Sequence, residues 1–140
     1  MRYLFIRTLI VVVFFAFVQP GYAAFIQLKN FGENPGELSA SFYHEKEKLP
    51  ATALVVLLHG CGQNGERFAR QSGFLAQAKQ HRFNLLIPQQ STNNHSKLCF
   101  NWYNKSDHQK NVGESLSLKN MITAVKAITG AEKVYIAGLS

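Results

Sequence analysis

The chain has 140 residues, 46% of them hydrophobic, and a formal charge of +7. That length bounds it to one domain or a piece of one. Its lysines are scattered (Lys29, Lys46, Lys48, Lys79, Lys97, Lys105, Lys110) with no aromatic-basic stripe, which excludes nucleic acid and a membrane surface as the meaning of the charge and leaves a solvated basic face.

Residues 1–23 read as a signal peptide. Arg2 and Arg7 give a positive start, residues 9–18 are unbroken apolar sequence, and Gly21-Tyr22-Ala23 supplies small residues at both positions that a signal peptidase reads. The apolar run is shorter than the roughly 20 residues a bilayer span needs, so cleavage after Ala23 is expected rather than a retained anchor. The mature part, 24–140, then carries the +7 charge less Arg2 and Arg7, that is +5. The destination is the periplasm or the outside of the cell. In such a compartment Cys61 and Cys99, both in loops after strand-like runs, are expected to pair. Closing that loop contributes roughly 3–4 kcal/mol in the chain-entropy picture. No Cys-x-x-Cys or paired-histidine spacing supports a zinc site.

Loose alternation on either side of Glu33-Asn34-Pro35-Gly36 predicts an antiparallel hairpin over 25–31 and 38–43. A charged connector, 45–49, ends at Pro50. Residues 53–58 are continuously apolar, the mark of a parallel strand covered on both faces. Residues 68–82 are helix-like with a break at Gly73, and Phe74, Leu75 and Ala78 share one side. Residues 83–88 form a second buried strand that Pro88 stops. A polar loop, 89–113, follows, and its length alone suggests a functional role. Leu118, Met121, Ile122, Val125 and Ile128 recur at helical spacing, with Ser115 or Ser117 as start cap and Gly130 as stop. A third buried strand ends on Gly138-Leu139-Ser140. Hairpin, strand, helix, strand, helix, strand is the order of a doubly wound α/β sandwich.

The chemistry gathers at two strand ends. Gly138-Leu139-Ser140 matches the first three residues of a Gly-x-Ser-x-Gly nucleophile turn, in which a serine is pushed out between strand and helix. His59-Gly60-Cys61 follows the first buried strand, where one oxyanion donor belongs; the backbone N–H of Cys61 is the candidate, with glycine keeping side chains out of the approach. His59 is rejected as general base, because hydrolase triads run serine, acid, histidine along the chain. A packing role in the turn is expected for it. His44, His81, His95 and His108 are expected on the surface. Asp107, the only aspartate, precedes the serine and reads as a solvated loop residue or a local cap. Trp102 and Tyr103 either contact substrate beside the site or pack the long loop onto the sheet, the second reading being favoured.

Taken together, Leu57-Leu58-His59-Gly60-Cys61-Gly62-Gln63-Asn64, Pro88-Gln89-Gln90, Cys99-Phe100-Asn101-Trp102-Tyr103, Gly113-Glu114-Ser115 and Ala137-Gly138-Leu139-Ser140 resemble secreted esterases of the poly(3-hydroxybutyrate) depolymerase type, relatives of feruloyl and acetylxylan esterases. Phe31-Gly32-Glu33-Asn34-Pro35-Gly36 extends the resemblance, which runs in the family's order over nearly all of 31–140. It implies an α/β-hydrolase fold, Ser140 as nucleophile, Cys61 at the oxyanion hole, a Cys61–Cys99 bridge, an ester or polyester substrate and no cofactor or metal. In that family the acid and the histidine come after the serine. The chain is thus expected to be the N-terminal part of a secreted serine carboxylesterase. The alternative, from another class, is a non-catalytic exported relict or binding domain that kept only the front of the fold.

Overall fold

The computed structural model describes residues 25–44 and 53–140. The expected signal peptide and the 45–49 connector with Pro50 lie outside the described residues. Five strands form one sheet: β1 (Ile26–Gln27), β2 (Ser39–Tyr43), β3 (Ala53–Leu58), β4 (Asn84–Gln89) and β5 (Lys133–Gly138), in the order β1-β2-β4-β3-β5. The β1–β2 and β2–β4 pairs are antiparallel, and β4–β3 and β3–β5 are parallel. The hairpin is therefore present, although its first strand is two residues rather than seven.

Period-two alternation in the apolar strands sends side chains to two separate cores. Leu54, Val56 and Leu86 face one side with Met121 and Val125 of α4 (Gly113–Thr129). Leu57, Leu85 and Ile87 face the other with Ala69 of α1 (Gly65–Gln71) and Leu75 and Ala78 of α2 (Phe74–His81). This is why β3 and β4 read as unbroken apolar runs. Sheet and flanking helices make the α/β-hydrolase architecture.

Several expectations shift in detail. The first helix begins at Gly65 rather than at 68, because the Asn64 side chain accepts the Arg67 N–H at 2.9 Å and caps it. Gly73, at φ 82°, makes the expected break. Pro88 does not stop β4. The parallel ladder with β3 ends at Val56↔Leu86, while β4 runs on to Gln89 against β2 with Pro88 opposite Ala40. With no β3 partner there, a missing N–H leaves no gap on that side. The polar loop contains a four-residue helix, α3 (Lys105–His108).

Neither Ser115 nor Ser117 caps α4. The Asp107 carboxylate accepts the Glu114 N–H at 3.3 Å, so the expected local cap at Asp107 is what holds the helix start. Ser117 is buried instead, and its hydroxyl accepts the Gly36 N–H at 2.9 Å, pinning the hairpin turn to α4. Gly130 ends the helix at φ 71°, as expected. Ile128 is 53% exposed, not core. The buried row runs Glu114, Ser117, Met121, Val125, Thr129, and Ile128 lies one step off it.

Candidate active site

β3 ends at Leu58, and the chain turns sharply through His59-Gly60-Cys61-Gly62-Gln63. Three amides of this bend are consumed internally. Gly60 N–H donates to Gln63 Oε1 at 2.8 Å, Gln63 N–H to the Gly60 carbonyl at 3.1 Å and Gly62 N–H to the Lys97 carbonyl at 2.9 Å. The Cys61 N–H has no acceptor among the described residues. A backbone donor left without an acceptor at a strand end is what an oxyanion site requires.

β5 lies parallel to β3 with Gly138 opposite Leu58, so both strands end at the same edge of the sheet. The Leu139 N–H continues the ladder to the Leu58 carbonyl at 3.1 Å. Gly138 suits that closeness, since a Cβ there would stand a tight 3.2 Å from Leu58 Cβ. A Cβ at Gly60 would stand 3.4 Å from the Leu139 carbonyl oxygen, so the bend after β3 lies beside the end of β5. Ser140 sits at φ 57°, in the left-handed region. Non-glycine residues adopt it at a cost. The structure thus brings Ser140 and Cys61 to one edge. No described histidine hydrogen-bonds to Ser140.

His59 is 2% exposed and braces the bend from beneath. Its Nδ1 is 2.8 Å from the Gly60 carbonyl, which can only accept, and its Nε2 is 3.2 Å from the Gln90 N–H, which can only donate. That pair of partners selects the neutral tautomer with the proton on Nδ1. Burial lowers its pKa from the ordinary histidine value, opposed by the bond to Gly60. With both nitrogens engaged and Phe100 against the ring at 5.1 Å, His59 is a structural residue, as expected.

Next to it lies an amide cluster. Gln89 Nε2 is 3.1 Å from His59 Nε2 and 2.9 Å from the Gln90 carbonyl, while Gln89 Oε1 accepts the Gly65 N–H at 2.7 Å. Gln90 Nε2 donates to the Cys99 carbonyl at 2.9 Å and to Glu114 Oε1 at 2.6 Å. Among the described residues every buried side-chain polar atom has a partner.

Cys61 and Cys99 form a disulfide, which ties the bend to the long loop across 38 positions. Trp102 and Tyr103 do not pack that loop onto the sheet. They are 72% and 59% exposed, edge to face with each other at 5.7 Å. The preceding Asn101 is buried instead and holds the loop down. His81 and His108 are exposed as expected, whereas His44 is half-buried and bonds Asn84 Oδ1 at 2.8 Å. Half-buried His95 uses Nδ1 to accept the N–H groups of Lys97 and Cys99. A cavity of about 200 Å³ opens beside the bend, lined by Gly62, Gln63, Asn64, Arg67, Phe68 and Gln71. Among the described residues, no cluster of histidine, cysteine and carboxylate side chains could hold a metal.

The sequence pattern of the family described as esterase PHB depolymerase matches residues 38–140. The chain belongs to that family. Among curated relatives, poly(3-hydroxyalkanoate) depolymerase C of Paucimonas lemoignei is 42% identical over 120 residues, which is 84% of this chain and 28% of that protein. Feruloyl esterase B of Talaromyces funiculosus is 31% identical over 121 residues, 84% of this chain and 33% of that protein. The chain therefore spans about a third of the length of these relatives. Among solved structures, an acetyl xylan esterase from Aspergillus awamori superposes with a TM-score of 0.73 at 24% identity, over 82% of this chain and 42% of that one, a likeness of fold.

Within this family member, Gln63, Gln89, Gln90 and Glu114 are the residues that sequence reasoning passed over. All four stood inside the recognised motifs without a role. The available signal was the Gln89-Gln90 pair directly after a buried strand, where two amides have no reason to sit unless buried partners await them.

Proposed function

We propose that the protein carrying this chain is an exported serine carboxylesterase acting on polyhydroxyalkanoate-type or related esters. The Ser140 hydroxyl attacks the ester carbonyl carbon, forming a C–O bond as the carbonyl electron pair moves onto oxygen. The Cys61 N–H and the N–H of the residue after Ser140 stabilise that oxyanion. A general base takes the serine proton and hands it to the leaving oxygen as the C–O bond to it breaks, so the alcohol departs and leaves an acyl-enzyme, which water cleaves to release the acid and regenerate serine. The general base and its orienting acid come from sequence beyond these 140 residues. Trp102 offers an exposed apolar face to the acyl chain or polymer. Processing after Ala23 delivers the enzyme to the periplasm or beyond.

The observation that carries this reading is that the Gly60 bend, with its spare Cys61 amide, lies beside Leu139, the residue before Ser140. The full-length protein should hydrolyse a short-chain nitrophenyl ester, and Ser140→Ala should lower kcat by at least about 10⁴-fold. Unchanged turnover in that variant would remove Ser140 from the role.

A further inference from the structure

Beneath the bend lies a carboxylate that this mechanism does not use. Glu114 is 5% exposed at the start of α4. A buried, ionisable side chain at a helix start, where a solvated acid would serve the helix equally well, asks for a reason.

Its partners supply one. Glu114 Oε1 accepts from Gln90 Nε2 at 2.6 Å and Asn94 Nδ2 at 2.7 Å, and Oε2 accepts the Asn101 N–H at 2.8 Å. All three donors are neutral amides, and they come from the start, the middle and the end of one loop segment, 90–101. Asn94 also donates to Gln90 Oε1 at 3.1 Å, so two of the three points are linked to each other as well. The same segment holds the bend after β3 twice, through the Cys61–Cys99 disulfide and through the Lys97 carbonyl that accepts the Gly62 N–H. Gln90 reaches the bend a third way, its N–H donating to His59 Nε2.

We propose that Glu114 is a positioning residue for the oxyanion donor: it clamps the 90–101 segment to the head of α4, and that segment sets where the Cys61 N–H points. The inference rests on the reading of Cys61 as that donor. Only a carboxylate meets the geometry. Glutamine in its place keeps one acceptor for Gln90 and Asn94 but turns an NH₂ group toward the Asn101 N–H, donor against donor. Burial raises the pKa of this carboxyl and the Asn101 bond opposes the shift, so the clasp works against the cost of keeping a charge out of water. The gain is in placement, to which oxyanion stabilisation is sensitive: a misplacement of about 1 Å can cost on the order of 100-fold.

The test uses the full-length protein and a short-chain nitrophenyl ester. Glu114→Gln should lower kcat about 10-fold or more, short of the 100- to 1000-fold typical of losing an oxyanion donor outright, with KM changed by less than about twofold. Amide hydrogen exchange at Gly62, whose N–H is held by the Lys97 carbonyl, should accelerate, while the exchange of β3 and β4 stays as in the parent. Asn94→Ala, which removes one donor from a half-buried side chain, should lower kcat about threefold with the same pattern. It decides the matter if Glu114→Gln fails to fold. Folded variants with parental kcat and parental exchange at the bend would overturn the proposal, as would an equal rise in exchange throughout the sheet. Retention of activity by Ser140→Ala is the separate result that would overturn the serine-esterase reading itself.

Discussion

Both ring nitrogens of His59 are engaged inside the protein, so adding a proton there breaks a bond as well as burying a charge. Gln90 N–H and a newly made Nε2–H would face each other, donor to donor. The folded state lowers this pKa. Unfolded chains therefore take up more protons as pH falls below about 6.5, and stability that is complete above that value is lost as pH falls through the folded pKa. Glu114 has the opposite sign. Its folded pKa is raised, so its contribution is complete below about 4.3 and lost as pH rises through the folded value. In the full-length protein the urea midpoint should fall between about pH 7 and pH 5, and His59→Gln should flatten that fall because its side chain does not titrate. An identical slope in both proteins would show that other groups set the acid response. None of this was legible from residue type. A histidine beside glycine suggested packing, but the tautomer follows only from the two partners. An acidic residue in a first helical turn suggests a solvated charge facing the helix dipole, and nothing in the pattern says that a loop folds over it.

At the scale of elements, apolar runs and glycines were the readable part. Residues 53–58 announced a strand covered on both faces, and Gly73 and Gly130 announced a helix break and a helix end, because those features depend on local geometry. The ends of α4 show where that logic stops. Two serines stood ready as caps, yet the cap comes from Asp107, which reaches Glu114 only because α3 folds back. Long-range placement also set Ile128 outside the core despite its helical spacing. The two glycines that bracket α4 should accordingly behave differently. Gly130 has open space around it, so Gly130→Ala should cost only the left-handed backbone, about 1 kcal/mol. Gly113, at φ 48°, is crowded by Ser106 and Asp107, and a Cβ there would run into the Ser106 carbonyl and the Asp107 carboxylate. Gly113→Ala should cost at least about 3 kcal/mol, because the α3–α4 corner must open. Chemical denaturation of the two variants separates these outcomes, and equal losses would refute the crowding argument.

For the whole molecule, sheet order governs behaviour. β5 pairs with β3 on one side and forms an edge of the described sheet, with Tyr135 and Ile136 exposed at 54% and 67%. Unpaired N–H and C=O groups beside exposed apolar side chains invite a second strand. Residues 24–140 prepared alone should be poorly soluble, and Ile136→Lys should raise the soluble fraction several-fold. A monomeric, cooperatively melting product from the unaltered segment would contradict this. The bend after β3 is fastened to the long loop by links of different chemistry, among them a sulfur–sulfur bond at Cys61 and a peptide hydrogen bond at Gly62. Only the first responds to dithiothreitol. Material made in a reducing cytoplasm should therefore fold and yet show a slackened rather than a vanished turnover, and the choice of expression host becomes a dial on catalytic quality instead of an on–off condition for obtaining protein.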